Sequence, residues 1–118
     1  MLNNGGESNG HRVLKPETVA LMTSNHVGTL YEQSGNFSLA KRGVGFGFGV
    51  MTITDQALAD IPLPTGSFNW NGIGSNWFWV MPKHKMVLIL MCPPTGSRPL
   101  HEDVVRALGK AMQNAGLK

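Results

Sequence analysis

Trp77-Phe78-Trp79-Val80-Met81, then Pro82-Lys83-His84-Lys85, then Met86-Val87-Leu88-Ile89-Leu90-Met91 decide the fold. The first run is rich in aromatic residues, which suit a pleated, half-buried surface. Proline and three basic residues then turn the chain. A connection this short joins antiparallel strands, because a parallel pair needs a crossover of a dozen residues or more. The second run is apolar on both faces, which predicts an interior strand. Pro93-Pro94 ends the pairing.

Upstream, Gly43-Val44-Gly45-Phe46-Gly47-Phe48-Gly49-Val50 alternates with period two. It reads as one strand, with four glycines on one face and Val, Phe, Phe and Val on the other. A glycine face suits a close approach by another element. As a phosphate loop the stretch fails, because neither Gly43 nor Gly45 begins a complete G-x-G-x-x-G. Phe68–Asn71 is a short strand candidate. Together these runs predict an α+β fold built on an antiparallel sheet of about three strands.

Two helices complete the expectation. Downstream, Leu100, Val104, Leu108, Ala111, Met112 and Ala115 recur at helical spacing after Pro99, with Gly116 as the C-cap. This C-terminal helix should lie across the sheet, with the glycine face as a candidate seat. An N-terminal helix starts at Pro16, where the missing N–H costs nothing, and Glu17 complements its dipole. Val19, Met22 and His26 share a face; the helix ends near Asn25, and Gly28 breaks it. Residues 29–42 read as a loop.

The 118 residues support one domain. Residues 1–42 form its helix and loop region, and 43–118 its sheet and C-terminal helix. Ten basic and seven acidic residues leave a net charge of +3. With no basic cluster longer than Lys41-Arg42, there is no phosphate-tracking stripe and no nucleic-acid partner is expected. The longest apolar run is far shorter than the roughly 20 residues that span a bilayer, so no membrane span is expected. The first residues lack the charged and apolar regions of a signal peptide, and the compartment stays open. A single cysteine, Cys92, excludes an internal disulfide and reads as a small core residue. His11, His26, His84 and His101 are scattered, so neither a metal nor another cofactor is expected. Trp77 and Trp79 share a strand face and read as core.

Two short patterns imitate nucleophile motifs. Gly6-Glu7-Ser8-Asn9-Gly10 fits G-x-S-x-G, but an elbow needs a strand before the serine and a helix after it. Here turn residues follow. Ser38-Leu39-Ala40-Lys41 fits S-x-x-K, whose chemistry needs the serine at a helix start with the lysine one turn later. Here it falls in a loop.

Phe68-Asn69-Trp70-Asn71-Gly72-Ile73-Gly74 resembles the third motif region of the serine β-lactamase-like superfamily. That group comprises class C β-lactamases, D-Ala-D-Ala carboxypeptidases and family VIII esterases. Esterase-like members read approximately W-G-G-x-G-G-T there, followed by an aromatic strand, a turn and an apolar strand. Leu2–Gly6 resembles a helix end of the family, Val13–His26 its "LLSPETVALMTSNHL" segment, and Gly45–Val50 its "GFGLGFGV" strand. The resemblance runs through nearly the whole chain, in order. It implies a partial β-lactamase/transpeptidase-like fold. Trp70, Asn71 and Gly72 stand where lactamases have Lys-Thr-Gly, the strand that walls the active site. The backbone N–H of Ile73 would be one of two oxyanion-hole donors. Trp70 in place of lysine removes a cation for a substrate carboxylate, which favours esters of small acids.

The departures carry equal weight. Asn71 stands where esterase-like members have Gly, and Met81 where the turn has Asp. The family's S-x-x-K pair and second-motif tyrosine lie upstream of the region matched here. Ser38 and Lys41 fall between two matched segments and are not that pair, and Tyr31-Glu32-Gln33 is not Y-x-N. The chain therefore resembles the C-terminal part of a serine hydrolase of ester or amide bonds, with no catalytic residue of its own. Its partners would be a small ester or amide substrate in the complete protein, the N-terminal half of the same enzyme, or a second copy. Two rivals stay open: a non-catalytic remnant that binds through its exposed sheet edge, and an independent hydrolase using Ser38 and Lys41.

Overall fold

The computed structural model describes residues 1–30, 42–91 and 97–117. Ser38, Lys41, Tyr31, Cys92 and the Pro93-Pro94 stop lie outside the described residues, as does most of the loop expected at 29–42. The fold is α+β. Leu2–Asn4 makes one 3-10 turn, closed by Gly5 in the left-handed region. A small hairpin follows, β1 (Glu7–Ser8) against β2 (His11–Arg12). Its turn uses Asn9 and Gly10 at φ 50° and 77°, as a two-residue hairpin loop demands. Ser8 therefore precedes a β-turn and not a helix, and the elbow geometry is absent. Helix α1 spans Pro16–Thr23 with proline in its first turn, and only Val19 of it is buried.

The main sheet has five antiparallel strands, not about three, in sequential order: β3 (Val44–Phe46), β4 (Met51–Ile53), β5 (Phe68–Asn71), β6 (Asn76–Met81) and β7 (Met86–Met91). The extra strands have a local cause. The expected single strand over 43–50 breaks at Gly47-Phe48-Gly49. The Gly47 N–H donates to the Val50 carbonyl at 2.8 Å, and Gly49 takes φ 84°. The chain reverses there, and Phe46 pairs with Met51. The short helix α2 (Gln56–Ala59) follows β4, capped by Asp55 Oδ1, which accepts from the Ala57 and Leu58 N–H groups.

The C-terminal helix α3 spans Ser97–Asn114. It starts before Pro99, which sits in the first turn, where a missing N–H breaks no helical bond. The core gathers Val44, Met51, Ile53, Trp79 and Met81 of the sheet with Leu63 and with Val105 and Met112 of α3. Each fully buried side chain of this size contributes about 1.5–3 kcal/mol. Thus α3 lies on the Val44 face and not on the glycine face. The glycines serve a different neighbour. A Cβ on Gly45 would overlap the Asn25 side chain, and one on Gly47 would overlap the Met22 carbonyl. The segment leaving α1 is what approaches, bonded through His26 N–H to Phe46 O and Phe48 N–H to Met22 O.

Among the described residues β7 is an edge strand, contrary to the interior position its composition predicts. Its residues alternate between half-buried and exposed. Met86 and Leu88 pack against the α3 core, while Val87, Ile89 and Met91 are exposed. On that outer face, Leu2, Val50, Phe68, Phe78 and Val80 form a smaller cluster near the N-terminal turn.

Candidate functional site

The four residues singled out by sequence lie together at one end of the sheet. Trp70 and Asn71 finish β5, pairing with Phe78 and Trp77 of β6. Gly72 and Ile73 open the reversal into β6. The Gly72 N–H donates to the Asn76 carbonyl at 2.9 Å, and the Ser75 N–H to the Gly72 carbonyl at 3.0 Å. Ser75 takes the positive φ, 63°, that the reversal requires. Ile73 is therefore the first central residue of a tight turn. Its side chain is fully exposed, and its backbone N–H has no acceptor among the described residues. A Cβ on Gly72 would meet nothing within 4 Å. The strand end thus presents a free backbone donor beside open space.

Trp70 meets Phe46 edge-to-face at 5.1 Å between centroids and remains partly exposed. Together with Gly72, Phe78, Val87, Ile89 and Leu2 it borders an apolar groove of about 870 Å³ along the outer face. Among the described residues, every side chain that lines it is uncharged.

On the opposite face, Trp77 and Trp79 are buried as expected. Trp79 Nε1 donates to His101 Nε2 at 2.9 Å, and the His101 ring stacks on Trp77. This buried histidine was not distinguished by sequence from the other three. The available signal was its spacing: His101 precedes Val105 by four residues, on the stripe that continues to Met112.

His26 forms an apparent nucleophile–base pair with Ser24, their Nε2 and Oγ 3.2 Å apart. The same nitrogen lies 2.6 Å from the Leu21 carbonyl, which only accepts. Nε2 therefore carries the hydrogen and cannot take one from serine. The imidazole stacks on Phe48 and closes the end of α1. Among the described residues no group of three His, Cys, Asp or Glu side chains converges on a metal position. No described helix is long and apolar enough to cross a membrane.

This architecture is shared with part of a hydrolase. The solved structure of EstCE1, a hydrolase with promiscuous acyltransferase activity, superimposes with a TM-score of 0.64 at 30% sequence identity. The match covers 88% of this chain and 26% of EstCE1, so the chain spans about a quarter of that relative's length. No family model and no curated protein matches the sequence.

Proposed function

We propose that this chain is the C-terminal segment, as a single unit over residues 1–118, of a β-lactamase-like serine hydrolase acting on esters or amides through an acyl-enzyme. In this reading β5 is the wall of the active site. The Ile73 N–H is one oxyanion donor, and the nucleophilic serine, its lysine and the tyrosine belong to the remainder of the enzyme. The observation that carries the proposal is the free Ile73 N–H beside the open space at Gly72, at the end of a strand within a fold shared with a hydrolase. A fixed backbone donor needs no particular side chain, so an exposed isoleucine costs the chemistry nothing. One such donor contributes about 2.7–4 kcal/mol to an acyl-transfer transition state. Trp70 in place of lysine, with no cationic side chain lining the groove among the described residues, favours esters of small acids over carboxylate-bearing lactams.

The test is complementation. The chain is mixed with the part of EstCE1 that lies outside the match, and hydrolysis of a p-nitrophenyl ester is followed. The chain alone should leave a fluorophosphonate probe unreacted, and the mixture should hydrolyse ester. Ile73→Pro should lower the recovered kcat about 10²–10³-fold while folding normally. Proline suits the first central position of a tight turn and removes only the N–H. Labelling of the chain alone would transfer the nucleophile to Ser38. The β7 edge, unpaired among the described residues, supports the second reading, a binding module that accepts a partner's strand. Tight association with that part but no recovered hydrolysis would favour it.

A further inference from the structure

Among the described residues, His101 is the only titratable side chain that is buried. It projects from the start of α3 onto β6. Its Nε2 receives the Trp79 indole N–H at 2.9 Å, and its ring lies flat on Trp77, with centroids 3.7 Å apart and planes 15° apart. An indole nitrogen only donates. Nε2 must accept, so it carries no hydrogen, and the neutral ring holds its hydrogen on Nδ1. We propose that the contact of His101 with Trp79 and Trp77 is an acid-sensitive latch holding α3 to the sheet. Proton uptake at Nε2 sets two N–H donors head to head and leaves a cation in a buried site.

Two effects oppose opening. The imidazolium would gain attraction from the Trp77 face, and Glu102, next in sequence, favours the cation. Glu102 and Asp103 on α3 are exposed, where solvent and salt screen them. From the sheet, the described residues on the α3 side of β6 and β7 are Trp77, Trp79, Met81, Met86, Leu88 and Leu90, none of which ionises. Burial of the charge and opposition of the donors therefore prevail. The sign follows: the unfolded chain binds the proton more readily than the folded one, so stability falls as pH falls. The loss begins below about pH 6.5, the ordinary imidazole range, and reaches up to about tenfold in the folding equilibrium per pH unit. Because Trp77 pairs with Asn71, opening the latch loosens the strand next to the Gly72–Ile73 turn.

The experiment follows the 118-residue chain from about pH 8 to about pH 5 by thermal melting and by nitrogen NMR of the indole and imidazole groups, beside His101→Gln. The glutamine carbonyl keeps an acceptor for Trp79 without titrating. The wild type should show the Nδ1–H tautomer at neutral pH. It should lose the Trp79 indole signal position and its stability together on acidification, and His101→Gln should remove that step. An Nε2–H tautomer at neutral pH, or an equal acid step in His101→Gln, would overturn the latch. Should the variant not fold, the tautomer of the wild type decides alone.

Discussion

Gly47 and Gly72 look alike in sequence, and the structure uses them oppositely. Gly47 has the Met22 carbonyl where its Cβ would stand, whereas Gly72 faces empty space. Gly47→Ala must push backbone against backbone and should cost about 1–3 kcal/mol. Gly72→Ala should change stability by no more than about 0.5 kcal/mol. Urea denaturation midpoints at constant slope separate the two; equal losses would mean that the turn after β5 is tighter than its geometry. The contrast also marks how far residues 43–50 can be read. Their alternation gives a glycine face that accepts a close neighbour, and that neighbour is present. What alternation cannot give is the reversal at Gly47-Phe48-Gly49, which sends Val50 to the outer cluster while Val44 stays in the α3 core. The positive φ of Gly49 belongs to that reversal. The Trp70–Ile73 candidates were legible as a group because they are contiguous in sequence. The N–H left free at Ile73 was not, since it depends on which carbonyls the turn brings near.

Helix α3 shows the same limit one level up. Its apolar repeat located it, and its last turn ends near Gly116 as expected. The face it buries is nevertheless rotated by one residue. His101, Val105, Gly109 and Met112 point inward, while Leu100, Ala111 and Ala115 are exposed. Hydropathy alone would not choose His101 over Leu100. The indole N–H of Trp79 does, by offering a buried donor that only a polar acceptor satisfies. Gly109 then fixes how closely the helix approaches, since a Cβ there would overlap the Pro62 carbonyl. Alanine in a helix interior gains about 1 kcal/mol over glycine. Here the backbone overlap should outweigh that gain, so Gly109→Ala should be net destabilising by about 1–2 kcal/mol. A raised melting temperature would show that α3 is not seated against residue 62.

At the scale of the molecule, one sheet face is covered and the other only in part, by the segment leaving α1 and the N-terminal turn. Helix α3 covers the inner face, while Val87, Ile89 and Met91 stand exposed on the outer one, beside the edge of β7, which pairs with no further strand among the described residues. No charged residue interrupts β7, although edge strands are ordinarily blunted by lysine, proline or a bulge. A long apolar edge of this kind pairs with whatever strand is offered, and in a solution of this chain that is a second β7. Sedimentation of the purified chain should therefore show concentration-dependent association. Ile89→Lys places a charge in the middle of the exposed row, far from the α3 core. Removing one buried isoleucine forfeits about 1.5–3 kcal/mol at each copy, and each 1.4 kcal/mol is tenfold in affinity. The variant should dissociate at least tenfold more readily while its melting behaviour as a monomer stays unchanged. A wild-type chain that remains monomeric at every concentration would mean that the open edge is held apart by twist or solvation, and complementation by a larger partner would then have to begin on the outer face and not at the edge.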